Sequence, residues 1–491
     1  MATSKTLISQ PGTTGIFPGG ALRADRLETL QLALRQGLGR CYFPELGAVY
    51  RGKVRDCHTV GDRRVLIASD RISAFDRVFA QTIPFKGQVL NLLAAHFLGK
   101  AAEIVPTHLL DVPDPNVTIA RELAPYPVEV VVRGYLAGSG WRDYQEGVFA
   151  LKYGFALPDG LSLNARLETP IVTPTEKCHD GHDRPVTAEE AARLVGSAET
   201  WQKLHDTALA LFAQGTALAA ERGLILVDTK YEFGQDDGQI VLMDEVHTPD
   251  SSRFWYQSSY AADPARPEQL SKEFLRDWLR ERGFTGDGPV PELPDDVRIA
   301  VAERYLALYQ TLTGQELALD PSEPRDRIRR NLQAAGLLTG TFCGILMGSP
   351  SDAELASKAS AVLRDLGVAT REWVVSAHKV PDKLYNLVAD LNEAAQPVAL
   401  ITIAGRSNGL SGCTSASSLH PVIALPAFAD RADYQINIHS SLQMPSETPA
   451  MTILDPTNAA LAAARILGAA EPALKSRVAA RMARVRASFE V

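Results

Sequence analysis

Two sets of residues in this 491-residue chain have the types and spacing for chemistry, and they call for different reactions. In the first set, Asp228, Lys230 and Glu232 alternate along an apolar segment from Leu224 to Phe233, so a strand puts them on one face and Thr229, Tyr231 and Phe233 on the other. A turn containing Asp237-Gly238 leads into a second segment, Gln239 to Val246, which carries Asp244. If the connection holds an odd number of residues, Glu232 and Asp244 share a face of the hairpin and make a pair of oxygen ligands suited to a nucleotide-bound Mg2+. A salt-bridged exposed face around Lys230 has the same spacing, and spacing alone leaves both readings open. Upstream, Tyr50-Arg51-Gly52-Lys53-Val54-Arg55-Asp56 sets a glycine among cations, which lets backbone approach phosphate; a surface hairpin with solvated charges has this pattern too. A Walker A sequence is absent, and Gly138-Ser139-Gly140 does not complete a dinucleotide fingerprint, so a nucleotide would be held in another way.

The second set is three polar loops in the C-terminal third: Gly348-Ser349-Pro350-Ser351-Asp352, Ser376-Ala377-His378-Lys379 and Gly405-Arg406-Ser407-Asn408-Gly409. Each follows a short apolar run, ending at Met347, Val375 and Ala404. The first two precede helical spacings: Leu355, Ala359, Val362, Leu363 and Leu366 after the first, and Leu384, Leu387, Val388 and Leu391 after Pro381. Ser351 and Glu354 fit a capping box, which is compatible with anion binding because both use the free N–H groups of a helix start. Strands alternating with helices imply an α/β, three-layer, doubly wound parallel sheet whose strand-end loops converge on one pocket. A lone histidine is more often structural, but His378 at a strand's carboxyl end beside Ser376 and Lys379 has the position of a proton-transfer group.

Composition sets limits on what these residues serve. With 45% hydrophobic and 22% charged residues the chain has ample core material, and its length exceeds what one core organises, so two or three domains are expected. The boundaries fall into a flexible lead at 1–22, one domain at 23–318, a linker at 319–340 around Asp320-Pro321-Ser322-Glu323-Pro324, and a second domain at 341–491. A formal charge of -8 argues against a broad nucleic-acid or anionic-membrane surface while leaving room for a few converging cations on a small phosphate. Five scattered cysteines without a CxxC pair (Cys41, Cys57, Cys178, Cys343 and Cys413) fit reduced thiols. A zinc site at Cys178, His179 and His182 is the minor alternative to an ordinary loop there. Neither a secretory h-region nor a membrane-length apolar run is present, so a cytoplasmic location is expected.

The C-terminal loops, with Leu410 and Ser440-Ser441-Leu442-Gln443-Met444-Pro445, resemble in order the motifs of the phosphoribosylaminoimidazole (AIR) carboxylase family across nearly all of residues 340 to 470. Within that family they are similar to the animal-type class that uses CO2 directly: related mutases carry a second histidine after the third strand, where this chain has Gly405 to Leu410. The resemblance implies a flavodoxin-like fold and places Ser349, Ser351 and Asp352 on the ribose phosphate end, with Ser376 and Arg406 also on substrate. His378 would handle the proton of the imidazole carbon, and Lys379 or Ser407 would hold the nascent carboxylate. No metal or biotin is needed, only CO2 held against an electron-rich ring and a base. Two departures stand out: Ser411-Gly412-Cys413-Thr414 replaces a Gly-Pro type turn, and Glu447 stands where relatives often have glycine.

The first set belongs to a longer series: Gly52 to Asp56, Ser69-Asp70-Arg71-Ile72-Ser73-Ala74-Phe75-Asp76, Val132 to Ser139, Thr173 to Lys177 with His182-Asp183, Asp228 to Gly234, and Asp244-Glu245 with Thr248 to Arg253. Over about residues 40 to 315 the series resembles SAICAR synthetase, the ATP-dependent ligase of purine biosynthesis; Cys178-His179 departs from its usual residues. The resemblance implies an α+β domain with a kinase-like nucleotide cleft, Lys53 and Arg55 on ATP phosphates, and Glu232 and Asp244 on Mg2+. Arg133, Ser139 and Arg253 would hold the ribotide's phosphate and carboxylate, with Asp228, Lys230 and Asp250 nearby and Asp70, Arg71 and Ser73 on substrate. Protein phosphotransfer is disfavoured, because no HRD- or DFG-type pattern occurs.

Together the resemblances imply one enzyme for two consecutive steps, since the carboxylase product CAIR is the synthetase substrate. AIR, CO2, CAIR, L-aspartate and ATP are the expected small-molecule partners, with a homo-oligomer formed through the C-terminal domain. The alternative is an active synthetase carrying a non-catalytic, carboxylase-like assembly domain, which the departures at Ser411 to Thr414 and Glu447 motivate.

Overall fold

In the computed structural model, which describes residues 24–178, 183–270, 272–405 and 407–489, the alternating segment becomes the long strand Leu224–Asp236. Tyr231 and Phe233 are buried in the main hydrophobic core, while Asp228, Lys230 and Glu232 take the other face. This strand is central to an antiparallel sheet in the order Arg184–Pro185, Arg166–Glu176, Ala124–Tyr135, Leu224–Asp236, Gln239–Met243, with Ser252–Tyr256 also pairing to it. Helix Ala198–Ala220 covers the apolar face: Trp201, Leu204, Ala208, Leu211, Phe212, Gly215 and Ala219 recur at three- and four-residue intervals and are buried. Ser197 starts that helix by accepting the Thr200 N–H at 3.0 Å. A second antiparallel sheet runs Val49–Arg51, Arg55–Val60, Arg63–Ala68, Val117–Arg121, Leu109–Asp114 and presents the glycine-cation turn at Gly52 to Arg55.

The C-terminal third is a parallel sheet in the order Ala369–Val374, Phe342–Met347, Val398–Ala404, Val422–Pro426, Met451–Thr452. Numbered along the chain this is 2-1-3-4-5, so the direction of winding reverses between Phe342–Met347 and Val398–Ala404. Alternate residues of these wholly buried strands feed two cores. Cys343, Ile345, Ile401 and Ile403 pack with Ala359, Leu363, Ala460 and Ala464; Phe342, Leu346 and Leu400 pack with Leu384, Val388 and Leu410. Helices therefore cover both faces, giving the expected three layers. Among the described residues, no helix is long and apolar enough to cross a membrane.

The chain divides into two compact units, one holding Tyr50–Pro324 with the residues up to Gly39, the other holding Arg40–Val49 and Arg325–Val491. The sequence groups 40–49 with the first unit, whereas the structure packs this segment into the second. Helix Pro324–Ala334 occupies part of the expected linker. The expected lead at 1–22 lies outside the described residues.

Ile401 is fully buried on a central strand. Ile401→Ala should lower the unfolding free energy of the C-terminal unit by about 2–5 kcal/mol, through lost burial and the cavity left behind. Urea denaturation followed by a probe in that unit checks it, and an unchanged midpoint would contradict the central placement.

Candidate active sites on two units

Lys230 is the hub of the first site. Its ammonium donates to Glu129 and to Glu232, both at 2.7 Å, while Lys177 grips the other oxygen of Glu232. Glu129 faces Glu232 across the strands Ala124–Tyr135 and Leu224–Asp236, and Lys177 follows the end of Arg166–Glu176. Burial disfavours the Lys230 ammonium, but Glu232, Glu129 and Asp244 outweigh it and hold the group charged well above the ordinary lysine range. Burial also pushes Glu129 upward, with Lys230 opposing and Glu232 adding to the rise. For Glu232, burial loses to Lys230 and Lys177, which hold its carboxyl far below the usual range.

Asp244 reaches this cluster by a different route from the one the sequence suggests. The hairpin pairs Asp236 with Gln239 and Glu232 with Met243, so only Asp237 and Gly238 separate the paired ends. An even connection puts Glu232 and Met243 on one face and the next position, Asp244, on the other by strict alternation. Instead the strand stops at Met243, and Asp244 adopts a left-handed backbone with φ 67°. That turn delivers its carboxylate to Arg55, whose guanidinium also lies 3.3 Å from Glu245. Burial opposes the Arg55 charge, and Asp244 and Glu245 raise its pKa regardless. Lys53 sits on the exposed side of the same turn, 2.5 Å from Asp76.

Other expected binding residues are occupied in positioning this site. Asp70 accepts the backbone N–H groups of Leu38 and Gly87, each at 2.8 Å. Arg71 donates to the carbonyls of Gly52 at 3.0 Å and Lys53 at 3.2 Å, and pairs with Asp56 at 2.9 Å, fixing the glycine-cation turn. Ser73 is buried opposite Val78 in the short hairpin Arg71–Ala74 with Arg77–Thr82. Asp250 takes the ammonium of the fully buried Lys86 at 2.9 Å and the Tyr305 hydroxyl at 2.6 Å; burial opposes its charge, yet Lys272 and Lys86 hold its carboxyl below the usual range.

Farther along the same strand face, Asp228 lies between two guanidiniums, Arg133 at 3.2 Å and Arg253. Arg133 also donates to Thr173 at 2.9 Å and Ser139 at 3.1 Å. Gly138 has φ 56°, a backbone that favours glycine, and a Cβ there would fall 2.2 Å from the Arg253 guanidinium and force it to move. Beside it opens a cleft of about 770 Å³ lined by Arg142, Arg253, Arg280, Glu273, Trp141 and Trp255. Burial resists the Glu273 charge, but Arg253 and Arg276 bring its carboxyl down to about 2. Burial, with the nearby positive charges of Arg253 and Arg280, lowers the pKa of Arg142. Five arginines stand among four carboxylates in this cleft, and with its indole walls those guanidiniums can receive a phosphate- or carboxylate-bearing ring.

In the C-terminal unit, the three expected loops all leave the carboxyl ends of neighbouring strands at the winding reversal. The capping box differs from expectation: Ser349 caps with Asp352, whose carboxylate accepts the Ser349 N–H at 3.0 Å, whereas Glu354 turns outward to Lys358. Ser351 remains exposed and donates to the Ser349 hydroxyl at 2.9 Å. Burial raises the Asp352 carboxyl pKa. Ser376 accepts the Lys379 N–H at 3.4 Å, tightening the turn that carries His378. The exposed imidazole lies against Gly409, where an added Cβ would come within 2.9 Å of Nε2, and Ser407 is exposed on the same loop. Arg406, His179 and His182 lie outside the described residues; Cys178 is exposed.

Five contributors escaped the sequence reading as site residues. Glu129 was legible as a lone acid within the apolar run Val128 to Val132, and Lys177 stood inside a quoted motif without an assigned role. Arg142 and Arg280 carry no local signal, because cations on exposed helices are ordinary. Asn408 is buried and knots two loops together, donating to Ser441 at 2.8 Å and accepting from the Ser411 hydroxyl at 2.7 Å. That knot gives the departure at Ser411 a structural use. Glu447 adopts φ 65°, a left-handed backbone that glycine takes without strain, which fits the glycine expected there from the family resemblance.

Asp228 neutralises Arg133 and Arg253 where all three are mostly buried, so Asp228→Asn should cost about 3–5 kcal/mol of stability. Added phosphate should recover part of that loss, raising the melting temperature of the variant more than that of the parent. Equal stability with equal phosphate response would show that the three charges are not coupled.

Comparison with known proteins agrees with this geometry. The SAICAR synthetase family model matches residues 48–291, and the AIR carboxylase family model matches 343–488. The phosphoribosylaminoimidazole-succinocarboxamide synthase of Cytophaga hutchinsonii is 47% identical over 303 residues, 60% of this chain and 97% of that protein. The Bacteroides thetaiotaomicron synthase is 46% identical over 299 residues, 59% of this chain and 95% of the relative. A solved SAICAR synthase from Saccharomyces cerevisiae, complexed with SAICAR, is 31% identical with a TM-score of 0.51, covering 57% of this chain and 99% of that one. The chain belongs to the SAICAR synthetase family and carries an AIR carboxylase domain fused behind its ligase domain.

Proposed function

We propose that this chain performs two consecutive steps of purine biosynthesis: AIR and CO2 give CAIR at the C-terminal unit, and CAIR, L-aspartate and ATP give SAICAR, ADP and phosphate at the N-terminal unit. The observation that carries this reading is the presence on one chain of both domains, the product of one being the substrate of the other. In the ligase, ATP phosphorylates the CAIR carboxylate; the aspartate amine attacks the acyl carbon, the C–O bond to phosphate breaks and an amide forms. The protein contributes positioning and charge neutralisation. Lys53 and Arg55, on the turn fixed by Arg71, are assigned to the ATP phosphates. Arg133, Ser139 and Arg253 are assigned to the ribotide, with the adjoining arginine-lined cleft extending its reach to aspartate.

The donor set fits Mg2+, whose protein contacts are commonly one or two carboxylates, with phosphate oxygens and water completing the shell. Glu232 and Asp244 would hold it, and both now rest against cations that a divalent ion can replace. When bound, it would offset charge on the transferring phosphoryl group. Among the described residues, no group of three or more His, Cys, Asp or Glu side chains is placed to hold a metal ion.

At the carboxylase site the imidazole carbon of AIR attacks CO2, forming the C–C bond, and His378 takes the ring proton that restores aromaticity. Ser349, Ser351 and Asp352 are assigned to the ribose phosphate, with Ser376 and Arg406 also on substrate, and Lys379 or Ser407 holds the new carboxylate. Free CO2 is the favoured carbon source, since His378 is the one histidine in the three loops. The cytoplasm, a homo-oligomer built through the C-terminal unit, and the absence of biotin complete the reading.

Glu232→Gln and Asp244→Asn should each lower ligase kcat by at least about a hundredfold, the scale of losing one preorganised charge-stabilising group, while sparing carboxylation. Wild-type ligase rates in Glu232→Gln at limiting Mg2+ would remove Glu232 from this role. His378→Asn should abolish CAIR formation from AIR and CO2 with the ligase intact. Rapid conversion of the N-carboxylated ribotide by the parent, without turnover of AIR and CO2, would assign the domain to the mutase class instead.

A further inference from the structure

Residues 40–49 lie in sequence just ahead of the ligase's glycine-cation turn, yet they are part of the C-terminal unit. Within the segment Cys41, Tyr42, Phe43 and Leu46 are buried, and Phe43 has no exposed surface. Tyr42 forms a parallel bridge with Ala394, and its carbonyl accepts the Ala395 N–H at 2.8 Å. Pro44 opens a single turn, Pro44–Leu46, that aims Glu45 at the start of the first C-terminal strand. The Glu45 carboxylate accepts the Thr339 N–H at 2.6 Å, the Thr339 hydroxyl at 3.3 Å and the Gln396 amide at 3.3 Å. All these partners precede Phe342–Met347 or Val398–Ala404, so the segment closes the amino ends of the two central strands, opposite the loops that carry His378.

Both ends of the excursion are fastened within the first unit. On entry, Leu38 exchanges two 2.8 Å hydrogen bonds with Asp70. Arg71 then joins entry to exit, donating to the carbonyl of Gly39 on one side and to those of Gly52 and Lys53 on the other. One guanidinium therefore clasps the base of the arm and fixes the turn assigned to the nucleotide phosphates.

We propose that residues 40–49 are a structural arm of the carboxylase unit, donated from the front of the ligase, so that the C-terminal sheet is incomplete without it and the linker is not what joins the two enzymes. Loss of the arm's grip would open the amino edge of the sheet, because Thr339 and Ala395 would lose the acceptors of their N–H groups and the buried Phe43 would be uncovered.

The test uses the full chain with a specific protease site placed between Gln315 and Ser322, a largely exposed stretch without helix or strand. After cutting, the two halves of the parent should elute together in gel filtration. Phe43→Ala combined with Glu45→Ala should let the cut halves part, and should speed amide exchange at Thr339 and Ala395 by at least about tenfold in the uncut protein. Should the double variant fail to accumulate, Phe43→Leu should show the same two changes in smaller measure. Parent halves that separate while the C-terminal half keeps its protection would overturn the proposal. So would variant halves that stay together with exchange unchanged.

Discussion

Five deeply placed cations of the first unit, Arg55, Lys230, Arg133, Arg253 and Lys86, are each held against a carboxylate, and that constraint shapes the unit. Arg55 rests on Asp244 and Glu245, Lys230 on Glu129 and Glu232, Arg133 and Arg253 on Asp228, and Lys86 on Asp250. An uncompensated charge at these depths would cost several kcal/mol, more than a domain of ordinary stability can lose at several points at once. Pairing keeps the cations charged and pointed before any ligand arrives, and an anionic ligand or a metal can then exchange with the internal partner. The central strand does most of this work, because period two puts Asp228, Lys230 and Glu232 on one face while Tyr231 and Phe233 anchor the other in the core.

The second unit solves a different problem. The proposed reaction there needs one base, a phosphate cradle and a place for a small neutral gas molecule, which the strand-end loops of a parallel sheet can supply. The reversal of winding between Phe342–Met347 and Val398–Ala404 opens the space, and close packing of the His378 ring on Gly409 sets its position. The arm lies at the amino edge of the same sheet, opposite the loops that carry His378.

Much of this was legible in the sequence where the signal was local. Val398–Ala404 reads as a strand from its apolar run and is found with those ends; the loops around Ser349, His378 and Ser407 follow from their places after such runs. The synthetase and carboxylase resemblances rest on motifs in order, and the matches at 48–291 and 343–488 agree with them. What stayed hidden depended on register and on distant partners. The place of Asp244 turned on one residue of connection length and a left-handed turn, neither of which alternation fixes. Cys41-Tyr42-Phe43-Pro44-Glu45-Leu46 announces burial but not its location, because an apolar run does not say which core receives it. Arg142 and Arg280 became candidates only when folding set them around one cleft.

The account stands on one chain passing a single carbon through two reactions. Purified protein given AIR, 13C-bicarbonate with carbonic anhydrase, MgATP and aspartate tests this most directly, with the product followed by 13C NMR. The account predicts label in the amide carbonyl of SAICAR, with labelled CAIR accumulating when ATP or aspartate is omitted. Conversion of supplied CAIR without any incorporation of label from AIR would contradict it and leave the C-terminal unit as an assembly domain.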